Sequence, residues 1–174
     1  MTGVEVPISH IRSEFEAKLW PQLANKTFYG RAFRNLVDTG NGEQLVAQVF
    51  VGGADGDYRD IMFEDTLNVL CFFDVQEDVN NAGFDQQPKR DVNIVFAVNL
   101  QTLYGQRNTE RAYYDVFQIL RVFSFEIEVK KIVTGLNAYG DLSTERLKKY
   151  DMHPWHTFAF QTMMRVDYRC LLTS

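Results

Sequence analysis

The chain has 174 residues, 45% hydrophobic and 14% aromatic, enough to bury one sizeable core and short for two, so a single domain over residues 1–174 is expected. Its 14 Phe and 8 Tyr against only 4 Pro exclude a disordered or fibrous chain. With 18 Lys and Arg against 23 Asp and Glu, the formal charge of -5 repels a nucleic-acid backbone instead of collecting it.

The start, MTGVEVPISHIRSEFEAKLW, has no basic segment followed by an apolar core, and no apolar run approaches the roughly 18 residues that span a bilayer. Folding in a reducing cytoplasm without a membrane role is expected. Cys71 and Cys170 fit that setting, each in an apolar run with no second Cys or His at metal spacing, and read as buried free thiols. Ile8, Ile11, Phe15 and Leu19 follow steps of three, four and four, which predicts a helix over about Ile8 to Trp20 with Arg12, Glu14, Glu16 and Lys18 towards water. Pro7 suits its first turn and Pro21 ends it. TFYGRAFRNLV and EQLVAQVFV are extended runs around DTGNG, whose glycines suit a tight reversal, so a hairpin is expected from Thr27 to Val51. The glycines of GGADGDYRD lack the Lys-Ser/Thr ending and the helix opening of a phosphate loop, and predict a plain loop.

TLNVLCFFDV is dense in β-branched and aromatic residues and predicts a central strand covered on both faces. The polar stretch from Val75 to Asp91 reads as a long exposed loop, an arm reaching a neighbour in preference to a lid, since it holds no histidine or nucleophile. DVNIVFAVNL alternates as a strand. TERAYYDVFQILRVFSF places Ala112, Val116, Ile119, Leu120 and Phe123 on one helical face, with Asn108 or Thr109 as cap. EIEVKKIVTG reads as a strand with a slip in register before Ile132 and Val133, a continued helix being the alternative. NAYGDLSTERLKKYDMHP is connecting structure, with a helical turn after Ser143 as an option. The closing run sets Phe158, Phe160, Thr162, Met164, Val166, Tyr168 and Cys170 against a largely polar face, a strand of about thirteen residues that outruns the common five or six and is expected to project from the sheet. Strands outnumber helices without strict alternation, which indicates an α+β domain: a mainly antiparallel sheet with about two helices packed on one face, a long inter-strand loop and a hairpin extension.

The only candidate metal ligands are Asp151, His153 and His156. Positions three apart on a strand point to opposite faces, and Pro154 disfavours a helix that would bring the imidazoles together, so the set works only if the loop curls round an ion. His153 and His156 instead read as lead-in residues near a subunit surface. No nucleophile elbow occurs, and the paired acids at Glu64-Asp65, Glu77-Asp78 and Glu126/Glu128 read as solvated. No catalytic set or cofactor site emerges. Arg146, Lys148 and Lys149 form the one compact basic cluster, too small for nucleic acid but able to meet an acidic neighbour.

An N-terminal helix, the hairpin, the helix TERAYYDVFQILRVFSF after DVNIVFAVNL, and the Asp151, Pro154 and Phe158 approach to a long final strand together resemble the tail terminators and head-to-tail connector proteins of bacteriophage necks. The likeness covers most of the chain and is one of element order, with the 75–91 stretch longer than in compact members. It implies a virion structural protein, assembled in the host cytoplasm. Copies of it would form a homo-oligomeric ring that touches neighbouring portal, connector or tail proteins and encloses DNA only as passing cargo. The competing readings are a small metal-dependent enzyme using Asp151, His153 and His156, and a monomeric protein-binding adaptor.

Overall fold

The structure, a computed structural model, describes residues 3–38, 40, 42–51, 57–61, 66–80, 89–106, 108–143 and 148–166. Helix α1 runs over Glu5–Lys18, starting three residues earlier than the periodicity suggests because Pro7 sits in its first turn, where a missing N–H costs nothing. Ile8, Ile11 and Phe15 are buried on one face, and the outer face carries the i,i+4 ion pairs Arg12–Glu16 and Lys18–Glu14. Strands β1 (Lys26–Asp38) and β2 (Glu43–Val51) form the expected antiparallel hairpin, in register from Asp38↔Glu43 to Ala32↔Val49. Gly40 and Gly42 take φ of 81° and 106° at its reversal, conformations that a side chain would oppose.

The glycine-rich stretch departs from the expected plain loop. Its Asp57–Asp60 part is a strand, β3, paired antiparallel with β2; residues 52–56 lie outside the described residues. Tyr58 and Arg59 tolerate an edge position because ladder bonds are made by the backbone. The same physics shortens the long loop. Strand β4 (Val69–Asn80) and strand β5 (Lys89–Asn99) remain paired out to Asn80↔Lys89, so polar residues read as loop belong to the ends of a hairpin, and residues 81–88, where an arm would lie, fall outside the described residues.

After β5 come a short helix α2 (Leu100–Tyr104), absent from the sequence reading, and α3 (Thr109–Leu120), capped by Asn108 Oδ1 on the Arg111 N–H. Strand β6 (Ile127–Thr134) carries a bulge between Val129 and Lys131, which is the slip in register seen in the sequence. Turns of 3-10 helix at Gly135–Tyr139 and Lys148–Asp151 lead to β7 (Trp155–Arg165). This last strand does not project over its described length: every residue from Trp155 to Arg165 has a partner on β5, and β6 pairs along its other side. Tyr168, Cys170 and the Arg146 part of the basic cluster lie outside the described residues, as do the side chains of Lys148 and Lys149.

Among the described residues seven strands form one sheet in the order β3-β2-β1-β4-β5-β7-β6, antiparallel except where β1 meets β4. Its middle is buried on both faces. On one side α1, α2 and α3 pack over Phe73, Phe96, Phe158 and Phe160; on the other the 3-10 turns bring Tyr139 and Tyr150 against Phe72, Val95, Ala97 and Ala159. The second face of β7 is therefore not largely polar near its start, since Thr157 and Ala159 are fully buried. Among the described residues, no helix is long and apolar enough to cross a membrane.

Phe96 and Phe158 stack with ring centroids 5.2 Å apart, and Phe15 meets Phe96 edge-on at 5.5 Å. Replacing Phe158 by Ala is expected to cost about 3–5 kcal/mol in urea unfolding, whereas Phe125→Ala, at a residue 82% exposed, should stay within about 0.5 kcal/mol. Equal effects of the two would contradict this assignment of the core.

Candidate functional site

The structure does not bring Asp151, His153 and His156 together as a ligand set. His156 corrects the expectation of a surface residue: it is 8% exposed, on the face of β7 that meets the helices. Its Nε2 lies 2.6 Å from the Tyr113 hydroxyl of α3, and its ring stacks beside Phe158 at 5.8 Å. A ring nitrogen committed to a phenol belongs to the packing of α3 on the sheet. His153 is exposed in the turn before β7. Asp151 lies at the end of a 3-10 turn with a carboxyl oxygen 3.0 Å from where a Cβ on Gly135 would stand, and Gly135 has a φ of 67°. That carboxylate and that glycine fit each other. Among the described residues, no three His, Cys, Asp or Glu side chains are grouped to hold a metal ion.

Two polar clusters have more definite geometry. Asp74 is fully buried on β4; its Oδ1 accepts from Arg34 Nε at 2.8 Å, and its Oδ2 from Arg34 Nη2 at 2.7 Å and Gln76 Nε2 at 2.9 Å. Such a forked pair satisfies a buried carboxylate, and removing either partner would strand a charge. Beside it a cleft of about 250 Å³ is lined by Arg34, Asp91, Asn93, Lys130 and Gln161. Its cations are already paired, Lys130 Nζ lying 2.7 Å from Asp91 and Arg34 between Asp74 at 2.7 Å and Asp141 at 3.6 Å, so it offers no open site for an anion. In the second cluster, Asp115 Oδ2 accepts from Trp20 Nε1 at 2.9 Å and from the Tyr104 hydroxyl at 2.7 Å. These bonds tie the end of α1, α2 and α3 into one layer. Arg111 covers the Tyr104 ring at 5.1 Å. Neither cluster contains a nucleophile with an adjacent base.

Two exposed surfaces rich in aromatic groups stand at opposite ends of the sheet, the first of them crossed by a hydrogen-bonded row of Asn35, Gln48 and Asp60. The first is a wing made by β2, β3 and the outer half of β1. A bulge between Phe28 and Arg31 rotates β1, so that Phe28 faces the helices, Ala32 faces the 3-10 turns and Phe33 again faces the helix side. There Tyr58 lies edge-on to Phe33 at 5.4 Å and to Phe50 at 5.3 Å. Phe50 is 51% and Tyr58 45% exposed, and no residue of β2 or β3 joins the core under the helices. The second surface is the outer side of α3 and the 3-10 turn after it (Arg121–Phe123), where Tyr114, Phe117, Val122 and Phe125 are exposed.

Reading the sequence for chemistry missed both surfaces. The signal on α3 was present: Tyr114 and Phe117 fall outside the stripe of Ala112, Val116 and Leu120, so the helix is apolar on more than the face its core needs. Phe50 gave less warning, because alternation along β2 does not say whether a second layer covers it. Compared with models of protein families, with curated proteins and with solved structures, the chain matches none.

Burial pushes the Cys71 thiol up; the Tyr104 hydroxyl is raised by burial and by its bond to Asp115, and that of Tyr139 chiefly by burial. The fold thus keeps all three neutral where the unfolded chain ionises them. Stability is unaffected by them below the ordinary thiol value of 9.0, begins to fall as the unfolded thiol and then the phenols, at 10.0, lose their protons, and goes on falling as pH rises towards the raised values of the folded state. Urea midpoints should fall steadily above about pH 9. In a Cys170→Ser variant at pH 8, a thiol reagent should label Cys71 only after denaturant is added; rapid labelling of the native protein would contradict its burial.

Proposed function

We propose that this chain is a structural subunit that joins head-to-tail with copies of itself into a ring, of the kind that links the head of a bacteriophage virion to its tail. The observation that carries the reading is the pair of unlike apolar surfaces at opposite ends of one sheet. A monomer gains nothing by exposing aromatic groups at both ends, and contiguous exposed patches mark interaction sites. Because the two surfaces differ, a contact between them is heterologous. Such contacts repeat, and they close when the rotation between neighbours divides a full turn.

The virion context rests on the order of elements: an N-terminal helix, a long hairpin, a helix following a buried strand, and a final strand approached through Asp151, Pro154 and Phe158. An acidic ring suits a passage for DNA, since a negative wall lets the duplex slide without holding it. In this role the buried clusters at Asp74 and Asp115 fix the shape of the subunit. Neighbouring portal, connector or tail proteins would meet the open faces of the ring.

Mass measurement and negative-stain imaging of the purified protein test the proposal. A single closed species at an integral multiple of 20.2 kDa is expected at high protein concentration. A strict monomer, alone and with neighbouring virion proteins, would overturn the ring and favour the adaptor. Stoichiometric zinc or iron, lost in a His156→Ala variant, would favour the metal-dependent reading instead.

A further inference from the structure

Resting on the ring reading, we infer how the two surfaces meet: α3 of one copy seats on the wing of the next, where among the described residues no helix packs, and supplies a second layer there. The layers make the case. Over the helix side of the sheet, α1 packs on β1, β4 and β5, with Phe15 against Phe28, Phe73 and Phe96. α3 lies beyond it over β7, where Tyr113 meets His156 and Phe158. The helix layer thus runs from β1 to the β7–β6 end, and among the described residues it does not extend over β2 and β3.

Placing two copies side by side, with β6 of one next to β3 of the other, brings the end of a helix layer beside the vacant part of the next. The exposed side of α3 points the right way for this. Asp115 faces Trp20 at the end of α1, and Phe117 follows two residues later, about 200° round the helix. Phe117 therefore lies on the flank turned away from α1, at the outer end of the layer. Tyr114 accompanies it one turn back.

Charge favours the same partner. The edge and tip of the wing expose Asp38, Glu43, Asp57 and Asp60, whereas the opposite end exposes Arg121, Lys131 and Arg165. Three residues depart from this pattern: Arg59 on the wing, and at the opposite end Glu110 at the start of α3 and Glu128 on β6. A second copy of this chain satisfies both the apolar faces and their rims, with charge setting the choice of partner and the apolar groups most of the affinity. The bulge and lysines of β6 discourage indiscriminate strand addition at that edge, leaving the seating of α3 to fix the register.

A disulfide trap tests the seating. In a Cys170→Ser background, with Cys71 buried, the double variant Phe50→Cys and Phe117→Cys should give under mild oxidation a ladder of covalent multiples of the chain. Each single variant should give no ladder. Assembly to the parental mass without the ladder would overturn this seating and leave the ring standing. Absence of any assembly in the parent protein would overturn both, and light scattering on the same samples tells the two failures apart.

Discussion

The stack of Phe96 on Phe158 joins the two strands on which the rest of the fold depends. β5 and β7 pair over eleven successive positions, from Lys89↔Arg165 to Asn99↔Trp155, and are buried on both faces where Ile94, Val95, Phe96, Ala97 and Val98 meet Phe160, Ala159, Phe158, Thr157 and His156. A ribbon of this kind must be covered twice. Among the described residues, three helices meet one requirement and two 3-10 turns the other, with Tyr139 and Tyr150 supplying the bulk on that second side. Tyr139 reaches Thr157 at 3.0 Å and Thr157 donates to the Tyr150 carbonyl at 3.0 Å, so the polar atoms brought into that second core remain satisfied.

This division of cover explains where the molecule is left open. α1 is tied to α3 through Trp20 and Asp115, and the pair extends from β1 to β7. The hairpin that begins with β1 carries the sheet beyond that roof. Arg31 caps the boundary, its guanidinium 4.7 Å above Phe33 and 3.8 Å from Glu5 of α1. Past it, among the described residues, the aromatic groups of the wing cover one another on the helix side. Exposed aromatic groups on α3 would likewise be a liability to a solitary domain, whereas in a closed ring each surface protects the other.

Much of this order was legible in the sequence, and the failures have physical causes. Ile8, Ile11 and Phe15 announced α1; the slip after Val129 announced a bulge; Asn108 announced the cap of α3. Polar character misled in two places. Glycines and acids around Tyr58 suggested a loop, and polar residues after Val75 suggested that the loop begins there, yet Asp57–Asp60, the residues up to Asn80 and those from Lys89 continue the ladder, because polarity reports exposure and not backbone pairing. His156 misled in the opposite sense. Its alternation with Phe158 placed it on the core face, but its polarity and the nearby Pro154 suggested a surface; Tyr113, forty-three residues earlier, resolves the conflict by supplying the buried partner. The candidate surfaces were harder still, since whether Phe50 is covered depends on where α1 ends in space.

The central claim is that assembly uses two different surfaces in head-to-tail order, and complementation of blocked subunits measures it most directly. Phe117→Asp blocks the flank of α3 and leaves the wing intact, whereas Phe50→Asp blocks the wing and leaves the flank. Each variant alone should remain at the mass of one chain, and an equimolar mixture should form a species of twice that mass and nothing larger. A mixture that stays monomeric while the parent assembles, or single variants that assemble as the parent does, would contradict the account.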